Sequence, residues 1–222
     1  MPTALLHYLG QYISESRKKV IDDVLDKRTR YLTVILEDIY HSQNASAVIR
    51  SCDCFGIQDL HVIENKHEYK LNPRVVHGAS KWVDIVTYNA YIDNSTKCFT
   101  DMQRKGYKLI GTVPDQTAQD ISDLSVDGPV ALVFGTEKEG LSDNAKDFCD
   151  EFVTVPMYGF TESFNISVSA ALCMNIMAQK IFKSNLNWQL TEKEKKELKL
   201  QWFRKIVHRS DLLEKEFLKT RN

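Results

Sequence analysis

Residues 31–63 read YLTVILEDIYHSQNASAVIRSCDCFGIQDLHVI. Two β-branched-rich apolar runs, YLTVILE (31–37) and LHVI (60–63), bracket a polar turn and a helical stretch at about 44–55. The texture then repeats. WVDIVTY (82–88), YKLIGT (107–112), PVALVFG (129–135) and FVTVP (152–156) are further short apolar runs, with helical stretches at about 93–105 and 142–150. Near-continuous hydrophobic strands that alternate with helices indicate a parallel sheet covered on both faces. The expected fold is an α/β domain over residues 31–182, with helical extensions at 1–30 and 183–222.

The flanks support that division. TALLHYLGQYI reads as a short helix, and SRKKVIDDVLDKR as a second with Val20, Ile21, Val24 and Leu25 at helical spacing. NISVSAALCMNIMAQKIF (165–182) is apolar around most of its circumference, which predicts a buried core or subunit-interface helix. The charged stretch after it opens on a capping box, Thr191 with Glu194, and places Leu198, Trp202, Ile206 and Arg209 on one stripe.

Composition narrows the class. The chain has 222 residues, 43% hydrophobic and 27% charged, as in ordinary globular proteins. No apolar run approaches a membrane span, and the first residues do not read as a signal peptide, so a cytoplasmic protein is expected. The five cysteines lack C-x-x-C spacing, and Cys52 and Cys54 read as buried small residues. The six histidines make no H-E-x-x-H or H-x-E pair, so no metal site is expected. The net charge of −1 hides an asymmetry: +2 over residues 1–30, −8 over 31–181 and +5 over 182–222. Basic ends can neutralise phosphates, although solvated helix surface reads the same way.

Three loop segments follow predicted strands, at the edge where open parallel sheets bind ligands. In the first, Asn44 can cap a helix that carries Arg50 six residues on. Taken alone, Arg50 reads as an i,i+3 partner of Asp53 on an exposed face. The second, FGTEKEGLSDNA (134–145), sets Glu137 and Glu139 between Gly135 and Gly140. It lacks G-x-x-x-x-G-K-[ST] and G-x-G-x-x-G spacing, and its carboxylates suit a neutral or cationic ligand. The third, VPMYGFTESFNISVSAAL (155–172), runs Thr161, Glu162, Ser163 and Asn165 into the apolar helix. Polar groups at the mouth of a buried helix make a binding site or simply a cap.

Together and in this order, the three segments resemble the SpoU/TrmH family of RNA ribose 2'-O-methyltransferases, within the SPOUT superfamily. The family's motifs look like Asn44–Arg50, F-G-x-E-x-x-G at 134–140, and I-P-M-x-G-x-x-x-S-L-N-V-S-V-A at 155–169. GASKWV (78–83) is also similar. Val155, Phe164, Ile166 and Ser169 are mild departures, and Ser42 and Gln43 stand where many members have Pro and His. The resemblance implies a C-terminal trefoil knot, a homodimer packed partly through the helix after the third motif, and an active site drawing on both subunits. It implies S-adenosylmethionine held by the loops at 109–113, 134–140 and 155–165, with Thr112, Gly135, Val155, Met157 and Phe164 as contacts. It assigns Arg50 to activation of the ribose hydroxyl, with Asn44, Glu137, Ser163 and Asn165 holding it and the ribose in place. A core with short helical ends looks most like the enzymes that methylate guanosine-18 of the tRNA D-loop. Ribosomal RNA, the tRNA wobble nucleotide and a non-catalytic RNA-binding module are the alternatives.

Overall fold

The computed structural model describes residues 2–219. In chain order the elements are α1 (Pro2–Gly10), α2 (Glu15–Leu25), β1 (Leu32–Glu37), α3 (Ser42–Cys54), β2 (Asp59–Ile63), α4 (Pro73–Val76), β3 (Asp84–Tyr88), α5 (Asn94–Arg104), β4 (Lys108–Thr112), β5 (Gln119–Asp120), β6 (Val130–Phe134), α6 (Asp143–Phe148), β7 (Glu151–Thr154), α7 (Ile166–Lys183), α8 (Glu192–Ile206) and α9 (Ser210–Lys219). They divide into two compact units. Arg30–Trp188 forms one, and the two chain ends, up to Thr29 and from Gln189, form the other.

The central unit is a seven-stranded sheet in the order β3-β2-β1-β6-β4-β7-β5, parallel at every pairing. Alternation along the strands splits its core in two. Leu32, Val34 and Leu36 of β1 pack with Val48 and Ile49 of α3 and Met174 and Met177 of α7. Ile35 of β1 and Val133 of β6 pack on the other face with Phe99 and Met102 of α5 and Ala145 of α6. Each fully buried Leu, Ile or Phe contributes on the order of 1.5–3 kcal/mol. Strand β3 is the half-exposed edge, with Val86 40% exposed, so the WVDIVTY run is less buried than its composition suggests. At the amino edge, the Arg30 guanidinium bridges Asp59 and Asp84, tying β1 to β2 and β3.

Strand β7 lies between β4 and β5, which are consecutive in the sequence. The chain reaches β7 from α6, on one face, and leaves it for α7, on the other.

The terminal unit buries Leu5 and Leu9 of α1, Ile21 and Leu25 of α2, and Leu198, Trp202 and Phe203 of α8. The Arg28 guanidinium, buried, lies 5.4 Å from the Trp202 ring centroid in a cation–π contact. The capping box at Thr191 and Glu194 forms as expected. Two expectations are corrected. Val20 and Val24 are exposed, because one α2 stripe, Ile21 and Leu25, is enough to cover its neighbour. Arg209 leaves the α8 stripe, since that helix stops at Ile206 and Arg209 turns the chain at φ 53°. Lys195 pairs with Asp26 at 2.8 Å, so part of the basic charge is neutralised inside the unit. Among the described residues no helix is long and apolar enough to cross a membrane.

Candidate active site

The carboxyl ends of β4, β6 and β7 open onto a cavity of about 650 Å³, a size common for cofactor sites. Thr112, Gly135, Val155, Met157 and Phe164, expected from the resemblance as cofactor contacts, all line it. So do Glu137, Ser163 and Asn165. Asn44 and Arg50 do not.

Backbone geometry shapes the wall. Thr136 and Gly140 form a closed turn, with Thr136 N–H donating to the Gly140 carbonyl at 2.8 Å and Gly140 N–H donating back at 3.1 Å. A Cβ on Gly135 would stand 2.1 Å from the Gly140 carbonyl oxygen, so only glycine lets the strand end run this close to the turn. The turn presents Glu137. Behind it, the buried Glu37 carboxylate at the end of β1 accepts from Ser95 Oγ (2.7 Å), Ser142 Oγ (2.8 Å) and the Ser142 N–H (3.1 Å). Ser142 also caps α6, so one carboxylate fixes where the Glu137 loop ends.

The polar residues of the three loops meet in one chain of hydrogen bonds. Asn165 Nδ2 donates to Asn44 Oδ1 at 3.2 Å, and Asn44 Nδ2 donates to Glu137 Oε1 at 2.7 Å. Asn165 uses its own Oδ1 to accept the Ser167 N–H at 2.9 Å, so it caps α7 while it reaches Asn44. The capping role expected of Asn44 is corrected. Helix α3 starts two residues earlier with His41 as its N-cap, which leaves the Asn44 amide in the first turn and free to bridge the other two loops.

Arg50 is exposed on α3, and among the described residues no hydrogen bond or ion pair holds it; the pairing with Asp53 is not formed. Six residues advance a helix by about 600°, so Arg50 points about 120° away from Asn44. The same arithmetic separates the two cysteines. Cys52 is buried and Cys54 exposed, since residues two apart on a helix face different sides.

Several lining residues do not stand out in the sequence. Thr154 is one: it ends β7, and its buried hydroxyl has no hydrogen-bond partner among the described residues. Its place directly before Val155 is the available signal. Lys146, contributed by α6, is another. Cys173 also borders the cavity, but burial pushes its thiol up to about 12, so it offers no thiolate near neutral pH. Three carboxylates, Glu137, Glu139 and Glu162, and two ammonium groups, Lys138 and Lys146, surround the opening.

A cavity at the carboxyl edge of a parallel sheet, lined by the loops after β4, β6 and β7, the last two tied together through Asn44, defines an α/β enzyme with a small-molecule site. The chain belongs to the SpoU rRNA Methylase family, whose profile it matches over residues 31–175. It is 37% identical, over 93% of both chains, to a Borreliella burgdorferi protein named tRNA (guanosine(18)-2'-O)-methyltransferase. A Thermus thermophilus protein of the same name is 30% identical over 72% of this chain and 81% of its own. Among solved structures, the A. aeolicus TrmH/SpoU tRNA modifying enzyme superposes with a TM-score of 0.77 at 25% identity, over 88% of this chain and 98% of its own.

Proposed function

We propose that this enzyme transfers a methyl group from S-adenosylmethionine to the ribose 2'-hydroxyl of guanosine-18 in tRNA. The observation that carries the reading is the Asn165–Asn44–Glu137 chain, which gathers the three loops at one cavity. The names of the two relatives supply the substrate.

The cavity fits the donor. Its rim has more carboxylates than ammonium groups, and Thr154, whose buried hydroxyl has no hydrogen-bond partner among the described residues, lines it. When bound, S-adenosylmethionine supplies an electrophilic methyl group on a sulfonium. Thr112, Gly135, Val155, Met157 and Phe164 would hold it, largely through backbone, since the Thr112 hydroxyl already donates to the Val133 carbonyl at 2.9 Å. Glu137 and Asn44 orient the ribose, with Ser163 and Asn165 at the mouth. Arg50 binds the RNA phosphate and steers the 2'-hydroxyl into line, and the hydroxyl proton passes to solvent water as the oxygen takes the methyl group. An arginine keeps its own proton under ordinary conditions, so positioning is the role assigned to it. In-line positioning of two reactants removes several kcal/mol from a barrier.

The site is completed in a homodimer on this reading. Support comes from the place of Arg50, outside the cavity of its own subunit, and from apolar surface at the cavity mouth. Tyr158 (97% exposed), Phe160 (108%), Phe164 (42%) and Val168 (44%) are exposed apolar side chains on and beside the cavity-lining segment 162–166, and a second copy would cover them. The chain is also read as a trefoil knot. Support comes from the passage of β7 between the consecutive strands β4 and β5 on its way from one face of the sheet to the other; such threading is a rare exception in proteins. Residues 31–182 are the methyltransferase domain of this reading. The segments 1–30 and 183–222 dock tRNA, and the enzyme works in the cytoplasm.

The test is incubation with labelled S-adenosylmethionine and either bulk tRNA or ribosomal RNA, followed by nucleoside mapping. The expected product is 2'-O-methylguanosine at position 18. Label in ribosomal RNA alone would refute the substrate, and label in neither would refute the activity. Arg50→Ala is expected to abolish turnover while cofactor binding persists.

A further inference from the structure

Tyr40 stands between β1 and α3 with 64% of its surface exposed. Two imidazoles hold it. The ring centroid of His41 lies 4.8 Å away at an interplanar angle of 77°, and that of His67 lies 5.0 Å away at 78°. Single exposed aromatic residues are common and need no explanation. This one is held by an unusual backbone. Asp38 takes a left-handed conformation, φ 52°, which is unfavourable for a residue other than glycine. In that pose its carboxylate accepts the N–H groups of Asn65 (2.7 Å), Lys66 (2.8 Å) and His67 (3.3 Å). The loop that carries His67 is thereby fastened to the loop that carries Tyr40.

The cluster is also connected to the proposed site. The His41 carbonyl accepts the Asn44 N–H at 3.0 Å, and Asn44 reaches Glu137. Lys66 Nζ lies 3.8 Å from Glu139 on the same turn as Glu137. Four residues of chain span at most about 14 Å, so Tyr40 is within reach of the acceptor nucleotide or its neighbour.

We propose that Tyr40, braced by His41 and His67, is a stacking surface for an RNA base at or next to the methylated nucleotide. The proposal rests on the reading of the site as an RNA 2'-O-methyltransferase. A base suits the place because every base has a π-face, and stacking holds an unpaired nucleotide without reading its sequence. An exposed ring with two imidazole braces gives up little side-chain freedom when a base lands on it.

The experiment is direct binding of an unmodified tRNA transcript to the full chain, with cofactor affinity measured beside it by calorimetry. Tyr40→Ala is expected to raise the tRNA Kd about tenfold or more. Tyr40→Phe keeps the π-face and is expected to restore binding to within about twofold. Tyr40→Leu keeps apolar bulk without the π-face and is expected to behave like alanine. The affinity for S-adenosylmethionine is expected to stay constant through the series, which shows that the variants are folded. Wild-type tRNA binding by Tyr40→Ala, or full rescue by leucine, would overturn the stacking surface. If the wild-type chain binds tRNA in this pattern but never methylates it, the enzymatic reading falls and the stacking surface stands.

Discussion

Gly135→Ala is the sharpest test of how the loop at 134–140 is built. A methyl group there would lie 2.1 Å from the Gly140 carbonyl oxygen, 2.2 Å from its carbon and 2.3 Å from the Leu141 nitrogen. All three are backbone atoms, so no rotamer change relieves the clash. Reaching an ordinary 3.4 Å separation requires the turn to withdraw by about 1.3 Å, the difference from the 2.1 Å starting distance. The paired Thr136–Gly140 hydrogen bonds, at 2.8 and 3.1 Å, do not survive a shift of that size. Two net hydrogen bonds at about 1 kcal/mol each, added to about 1–3 kcal/mol of overpacking, give a loss of about 3–5 kcal/mol. Urea unfolding measures it. Glu137 sits inside the displaced turn, so calorimetric affinity for S-adenosylmethionine should fall in parallel. Gly111→Ala is the comparison. The nearest atoms to its Cβ would be side-chain atoms, of Phe152 at 2.7 Å and Leu141 at 2.9 Å, which can shift, so a smaller loss of about 1–2 kcal/mol is expected. A Gly135→Ala protein as stable as wild type, with unchanged cofactor affinity, would refute the reasoning.

Three further outcomes are expected. Burial lowers the imidazole of His61 to about 4, against about 6.5 when unfolded, so between those values the unfolded chain binds more protons and stability falls as the pH falls. Linkage gives a loss of about 2 kcal/mol on going from pH 7 to pH 5; denaturant titrations at both should show it, and His61→Gln should flatten it. Lys193→Glu with Lys196→Glu removes two exposed cations from α8. It should weaken tRNA binding and lower the slope of log Kd against log salt by about one for each phosphate that is no longer neutralised; an unchanged slope would remove α8 from the docking surface. Glu37→Gln puts an amide donor among three hydrogen-bond donors and should cost about 1–3 kcal/mol in a thermal melt.

Local pattern carries much of this molecule. The strands predicted from apolar runs at 31–37, 60–63 and 107–112 appear as β1, β2 and β4, within a residue or two. The helix expected at 165–182 is α7, at 166–183. Strand β5 is not legible, because Gln119 and Asp120 have no apolar alternation and their pairing is imposed by β7. The spatial order of the strands is not legible either, since it depends on residues far apart in sequence. At the site, the family resemblance carried by the three motifs points to residues that line the cavity. They do not show that Asn44 bridges two loops instead of capping its helix, because that choice depends on Glu137, 93 positions away. The orientation of Arg50 is fixed only once the start of α3 is known.

The pairing of both chain ends in one unit sets an order of events during synthesis. Helices α1 and α2 leave the ribosome before the central unit, yet α8, which packs against both and helps bury Leu5, Leu9, Ile21 and Leu25, is made after it. With residues 30–188 translated in between, at roughly 5–20 residues per second, those side chains stay uncovered for on the order of ten to thirty seconds. For that interval the nascent chain carries apolar helices with nowhere native to go, which makes them a target for chaperones that bind exposed segments. A truncation anywhere in the last forty or so residues would prolong the exposure indefinitely, so damage at one end of this chain is expected to cause aggregation that begins at the other.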